Sequence, residues 1–289
     1  LAQRTGRPGQ IVMNREEEFI DATPRHPSII TMKMGVKQDG TMTALESRVV
    51  MDTGAYAHMG SNTATRGALI TRGPYRIPHI RSEGFAVYTH KVSAGAYRAP
   101  GFPQATFALE SYLDIAAERL GIDPLDIRLK NAIGEGELSF AGQRLSRTTL
   151  PEVIQKVARE IGWERRNSLG PNRGIGIAVG QWNVMGVPAG ALIKLEEDGE
   201  VVVITGSVDL TGSHTVLAQI AAEELGVPWE EITVLTGDTS HALLAPVSGG
   251  SMTAYNMGHA VKAAACEVKQ QLLELAAQKL DAAPGKLEI

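Results

Sequence analysis

Runs of β-compatible apolar residues broken by an Asp-Gly dipeptide open both halves of the sequence. Ile29–Val36 and Met42–Val50 are joined through Lys37-Gln38-Asp39-Gly40-Thr41, where Asp-Gly supplies the left-handed backbone of a hairpin turn. Ala191–Glu196 and Glu200–Thr205 repeat the arrangement around Asp198-Gly199. Each predicted hairpin runs into glycine-containing sequence, Asp52-Thr53-Gly54-Ala55-Tyr56 in one half and Gly206 to Gly212 in the other. An internal duplication and a coincidence of two common hairpins both account for this pattern.

Between the hairpins the apolar spacing turns helical. Pro103 opens a helix whose Ala105, Phe107, Ala108, Leu109, Tyr112, Leu113, Ala116, Ala117 and Leu120 form an apolar surface wider than one stripe, so burial is expected, and Gly121 ends it. Asp123-Pro124 reads as the cap and first residue of a short helix through Asn131. Thr149-Leu150-Pro151 opens a third helix, with Val153, Ile154, Val157 and Ile161 on one face and Gly162 as its stop. The polar stretch Trp163 to Gly174 is the expected linker, placing one domain over 1–163 and a second over 174–289. The second half reads as hairpin, helix Thr215–Leu225, strand Ile232–Leu235, a loop over Gly237–Gly250 and a long helix from about Met252 to Leu280, in which Cys266 reads as an inert core thiol. Strands and helices mix without strict alternation, so the expected class is α+β.

Composition narrows the chemistry. Among 289 residues, 28 Lys+Arg against 32 Asp+Glu give a net charge of -4, without the basic excess that favours nucleic acid. One cysteine excludes an internal disulfide framework, a four-cysteine zinc site and an iron–sulfur cluster held by this chain alone, and suits a reducing, cytoplasmic setting. No run of about 18 apolar residues predicts a membrane span. The start without Met and the end at Lys286-Leu287-Glu288-Ile289, which reads as a strand cut short, give the expectation of a fragment. Nucleophile-elbow, Walker A, dinucleotide-fingerprint and zincin motifs are missing. His26, His58, His79, His90, His214, His241 and His259 are scattered without chelating spacing, so no protein-ligated metal is expected.

Glycine-rich loops ahead of helices are the candidate chemistry. Gly249-Gly250-Ser251-Met252-Thr253 precedes the long helix and Gly212-Ser213-His214-Thr215 precedes the helix before Gly226, where first-turn amides can face an anion. Gly95-Ala96-Tyr97-Arg98-Ala99-Pro100-Gly101 places a cation, Arg98, just before Pro103. Any one such loop is ordinarily a cap and a turn. Three together suit a ligand with several phosphate or oxo groups, because each helix end supplies only partial charge.

At these loops the sequence resembles the molybdopterin-binding large subunit of the xanthine dehydrogenase and aldehyde oxidase family. The resemblance runs through Gly95 to Gln104, Phe107-Ala108-Leu109-Glu110, and Leu120-Gly121-Ile122-Asp123-Pro124 with Arg128 and Asn131. Thr5-Gly6-Arg7-Pro8 and Gly73 to Pro78 extend it upstream. Downstream it continues through Gln219 to Glu223, Leu225 to Pro228, Gly237-Asp238-Thr239 and Gly250 to Thr253. It implies two α+β cofactor-binding domains holding molybdopterin, possibly as a dinucleotide, whose metal is bound by the pterin. It implies Ala96, Tyr97, Arg98 and Ala99 at the molybdenum end, and Gly212, Ser213, His214 and Thr215 with Gly250, Ser251, Met252 and Thr253 around the pterin and its phosphates. Arg66 stands where xanthine-active members carry a substrate-orienting arginine; a surface salt bridge is the equal alternative.

Family enzymes oxidise an aldehyde or N-heterocycle with water as the oxygen source, and pass electrons to 2Fe-2S and FAD sites on other domains or subunits. The implied partners are therefore the remaining segments of the same subunit, iron–sulfur and flavin subunits, and a small-molecule substrate. Departures qualify this. Leu210-Thr211-Gly212 replaces the family's Gly-Gln-Gly, Ala99-Pro100 replaces the small-aromatic pair of purine-oxidising members, and the loop lacks the cysteine of carbon monoxide dehydrogenases. The family's glycine- and phenylalanine-rich loop and its catalytic glutamate fall outside these residues; Glu110, Glu223 and Glu224, on predicted helices, are no substitutes. These 289 residues alone are expected to be inactive. The alternative is a non-catalytic or split-subunit scaffold that keeps the fold without the cofactor.

Overall fold

The computed structural model describes residues 1–9, 11–238 and 242–288; Thr239 and His241, singled out above, and Ile289 of the terminal strand reading lie outside them. The chain divides into two compact units, Leu1–Trp182 and Asn183–Ile289.

In the first unit, α1 (Ala2–Thr5) and α2 (Arg15–Asp21) precede a three-stranded sheet. Its strands β1 (Ser28–Val36) and β2 (Met42–Gly54) pair antiparallel from Ser28↔Met51 to Val36↔Met42. The turn between them forms at Asp39-Gly40: Gly40 takes φ +84 and the Thr41 amide donates to Asp39 Oδ1 at 3.0 Å. After the crossover helix α3 (Gly60–Ile70), β3 (His79–Tyr88) returns parallel to β2. Helices α4 (Phe102–Leu120), α5 (Pro124–Asn131) and α6 (Leu150–Ile161) follow. Leu109 and Leu113 of α4 pack on Met32, Met42 and Leu45, while Ala64 and Ala68 of α3 pack on Val49 and Met51.

The second unit repeats the connectivity. Strands β4 (Ala191–Leu195) and β5 (Val201–Thr205) form an antiparallel hairpin about Asp198-Gly199, α7 (Ser213–Leu225) crosses over, and β6 (Ile232–Leu235) lies parallel to β5. A π-helical turn, Thr253–Met257, then leads into α8 (Gly258–Leu280). Leu217, Ala218, Ala221 and Leu225 of α7, Val201 and Val203 of β5, and Met257, Val261 and Ala265 form its core. Hairpin, crossover helix and parallel third strand thus occur twice, which favours a repeated unit over coincidence.

Several sequence expectations need correction. The domain division falls after Trp182 rather than within 163–174. The Val179 amide donates to Glu110 Oε2 at 2.9 Å and Trp182 packs on Phe102 at 4.6 Å, so 174–182 belongs to the first unit, as does the predicted linker, where Arg166 pairs with Asp123 at 2.7 Å. The α4 surface is not fully covered: Phe107 is 77% exposed. On α6 the buried pair is Ile154 and Ala158, and Val153, Val157 and Ile161 are exposed. Cys266 is exposed, because it lies one step round the helix from the buried stripe of Val261 and Ala265. Its thiol lies 3.3 Å from Glu224 Oε2, and that hydrogen bond, with burial and the carboxylate charge, pushes it up from the usual thiol range. Lys286 closes a 3₁₀ turn, Pro284–Lys286, rather than opening a strand.

Candidate cofactor site

In the first unit, the loop from Gly95 to Gly101 is fixed from outside. Arg25 donates to the Arg98 carbonyl at 2.6 Å and to Gln104 Oε1 at 3.3 Å, and its guanidinium lies 4.8 Å from the Tyr97 ring centre. Gln104 in turn donates to the His26 carbonyl at 3.1 Å. Ala99 has φ 57 and Gly101 φ 83, and Gly101 caps α4 without a side-chain hydrogen bond. A Cβ on Gly101 would stand 2.7 Å from the Thr63 carbonyl oxygen and 2.9 Å from the Gly67 nitrogen, so glycine here lets α3 close on the loop. Arg66 is half-buried on this same turn of α3, between Thr63 and Gly67.

Two buried polar atoms near this loop, Thr63 Oγ1 and His26 Nε2, have no partner among the described residues. Burial pushes the His26 imidazole below its ordinary value; Asp52 opposes this and Arg25 adds to it. Such buried polar atoms ordinarily find partners, so a polar group supplied from outside the chain suits them.

In the second unit, α7 and α8 run parallel. A Cβ on Gly258 would meet Ile220, and one turn further on Lys262 pairs with Glu224 at 2.7 Å. The parallel arrangement puts the start of α7 and the π-turn before α8 toward the same end of the helix pair. Each is preceded by two successive left-handed residues, Thr211 (φ 60) with Gly212 (φ 82) and Gly250 (φ 63) with Ser251 (φ 60). Left-handed Thr and Ser are strained, a cost that clusters at ligand-binding turns. Neither Gly212 nor Met252 caps its helix through a side chain. The π-turn is anchored from behind by buried Asn256, which accepts from the Val187 amide at 2.9 Å and donates to the Met185 and Met252 carbonyls.

The α7 end departs from expectation. Asp209 Oδ1 accepts from the His214 amide at 3.1 Å and from Ser213 Oγ at 3.2 Å. The His214 amide bond leads the interactions that hold the Asp209 carboxyl below its usual range. A carboxylate therefore already occupies part of the amide cradle that the sequence reading assigned to Gly212–Thr215.

Residues 1–132 and 153–289 match two models, each described as a molybdopterin cofactor-binding domain. The xanthine dehydrogenase molybdenum-binding subunit of Escherichia coli O157:H7 is 35% identical over 289 residues, covering 95% of this chain. The chain belongs to this family of molybdopterin-binding subunits. Aldehyde oxidoreductase of Megalodesulfovibrio gigas is 31% identical over 278 residues, 92% of this chain. The crystal structure of the aldehyde oxidoreductase from Desulfovibrio desulfuricans superimposes with a TM-score of 0.81 at 29% identity, over 93% of this chain and 31% of that one. The chain spans 38% of the E. coli relative and 30% of the M. gigas relative.

Within this molybdopterin-binding fold, four of the quoted signature residues, Tyr75, Glu110, Arg128 and Asn131, are structural. Arg128, fully buried, donates from Nε to Glu110 Oε2 at 2.8 Å and from Nη1 to the Pro124 carbonyl at 2.8 Å, and pairs with Asp114 at 2.9 Å. Tyr75 donates its hydroxyl to Glu110 Oε1 at 2.7 Å. Asn131 accepts from the Met42 amide at 2.9 Å and donates to the Gly40 carbonyl at 2.9 Å, pinning α5 to the first hairpin. Sequence reading missed Arg25, Thr63 and Asp209. Only Asp209 had a readable signal, a carboxylate four residues before Ser213 and a helix start.

Proposed function

We propose that this chain cradles one molybdopterin within the catalytic subunit of a molybdenum hydroxylase acting on an aldehyde or N-heterocycle. Bound there, the cofactor would supply two-electron oxidation of the substrate with water as the oxygen source. The residues of the chain do the holding. Amides of the Gly250–Thr253 turn ahead of α8, where that of Met252 already donates to the Gly249 carbonyl, would present partial positive charge to phosphate oxygens. Gly212–Thr215 would contribute from the head of α7, with Ser213 and Thr215 available where Asp209 yields. Ala96, Tyr97, Arg98 and Ala99 would face the molybdenum end, where the Arg98 guanidinium suits oxo groups, and Arg66 would orient substrate and balance developing negative charge. Iron–sulfur and flavin centres on other domains or subunits would take the electrons, in a reducing cytoplasmic setting that suits the single cysteine.

The observation that supports this reading is that each of two parallel-packed helices is preceded by a turn with a strained, left-handed Thr or Ser beside a left-handed Gly. It is tested in the full-length subunit purified from a host that makes the cofactor, by measuring molybdenum and released pterin per protein. The expected result is one of each, and loss of both in Gly250→Val, which forces a β-branched residue into a left-handed position. Full retention by Gly250→Val would refute the assignment of that loop.

One observation favours a second reading. Asp209 at the head of α7, beside Thr211 in place of the family's glutamine, suits a scaffold that keeps the fold without the cofactor. Absence of molybdenum from subunit made in a cofactor-competent host would establish it.

A further inference from the structure

The first sheet is one strand too narrow for the helix that covers it. Its order is β1-β2-β3, so β1 is an edge strand among the described residues. The Asp52 amide donates to the Pro27 carbonyl at 2.9 Å, which fixes the side of β1 that faces β2. Backbone groups alternate from there, so Ser28, Ile30, Met32 and Met34 present theirs to the open edge. Among the described residues only the Met32 carbonyl is engaged there, by the Tyr112 hydroxyl at 2.7 Å.

Along that edge α4 overhangs β1. A groove of 560 Å³ lies between Ser28, Ile30 and Met32 on the strand and Phe107, Ala108 and Tyr112 on the helix. A second of 350 Å³, sharing Tyr112, continues past Met34 and Val36 beneath Ile115, Ala116 and Leu120. The lining is mostly apolar; Ser28 and Gln104 in the first groove and Lys33 and Arg119 in the second are its polar and charged members, with the Tyr112 hydroxyl between. Phe107 and Ile115 remain exposed over this space, so the broad apolar face of α4 lacks a floor.

We propose that the open edge of β1 receives a further β-strand, supplied by the same subunit from outside residues 1–289, whose alternate apolar side chains lie under Phe107, Tyr112 and Ile115. A strand is the shape that fits: it satisfies the unpaired Ile30 and Met34 backbone groups and adds only about 4.8 Å of width. A second copy fits poorly. Antiparallel pairing of β1 with β1 would bring two overhanging α4 helices over the same gap, and packed helices need about 8–10 Å between axes. The relatives offer ample chain for the role, since the aligned part is 38% of the E. coli subunit. The proposal is independent of cofactor occupancy.

The test uses the full-length subunit with the photo-cross-linker benzoylphenylalanine replacing Phe107, prepared as a mixture of heavy- and light-isotope molecules. The expected product is a cross-link within one molecule, mapped by mass spectrometry to a segment outside 1–289 that alternates apolar and polar residues. In parallel, hydrogen exchange of peptide 28–36 should speed up at least tenfold in Phe107→Asp, which sets a charge over the groove. A mixed-isotope cross-link means a second copy, and a cross-link to another subunit means a separate partner; either overturns the proposal, as does no cross-link at all. Should the bulkier ring at 107 prevent folding, the same reporter at Ile115 reads the other half of the groove with the same outcomes.

Discussion

Replacing Arg128 with methionine tests whether the buried ion pair under α4 holds the first unit together. The guanidinium is fully buried, and four acceptors depend on it: the Glu110 carboxylate and carbonyl, the Pro124 carbonyl and Asp114. Methionine fills much of the volume but leaves the Glu110 carboxylate buried with only the Tyr75 hydroxyl and the Val179 amide. Removing one partner of a buried pair costs about 3–5 kcal/mol, because the remaining charge is desolvated without compensation. For a unit of this size each kcal/mol moves the midpoint by about 2–4 °C, so the transition of the first unit should fall by roughly 6–20 °C. Scanning calorimetry of the full-length subunit reads it. The double variant Glu110→Leu with Arg128→Met removes both charges and should cost less than the sum of the two single changes. A fall under about 2 °C in Arg128→Met, or strict additivity in the double variant, would refute the reasoning.

Acid should weaken the first unit through Asp52. The Lys91 ammonium leads the interactions on its carboxylate, followed by Thr89 and the Gly54 amide, and they lower it to about 2. A depressed folded value contributes stability that is complete above the unfolded value of about 3.9 and lost as pH falls toward about 2. Urea midpoints between pH 5 and 2 should therefore decline less steeply in Asp52→Asn than in wild type. Gly101→Ala forces a side chain into both a left-handed conformation and the α3 backbone; it should cost about 1–2 kcal/mol from conformation alone, more from the clash, and raise protease nicking at 95–101. Arg25→Ala should speed hydrogen exchange over 95–101 with little change in the calorimetric midpoint, and unchanged exchange would mean that Arg25 does not position the loop.

Much of the fold was legible because its signals are local. Asp39-Gly40 and Asp198-Gly199 dictate hairpins by backbone conformation, and Asp123-Pro124, Gly121, Gly162 and Gly226 mark helix ends by capping. Where the local signal was weak, elements were missed. Helix α3, built from Gly, Ser, Asn and Thr, exists through packing on Val49 and Met51 rather than through propensity. Strand β3 carries His, Arg, Glu and Gly and is held by its parallel ladder to β2. Helix α2 had a readable mark in Asn14 and Glu17, which form a capping box.

Burial and partnership lay beyond any local reading. Periodicity identified α4, α6 and α8 as helices, yet which stripe turns inward depends on the neighbour that each meets, so Phe107, Val153 and Cys266 are exposed. The candidate site divides in the same way. Its glycine-rich loops stand in the sequence because left-handed turns ahead of helices demand particular residues at particular places. That the loops of Gly212 and Gly250 share one end of a parallel helix pair, that Arg25 grips the third loop from seventy residues away, and that Asp209 already sits at the head of α7 were decided only by tertiary structure. Those relations arise from long-range packing and hydrogen bonds, which no short stretch of sequence contains.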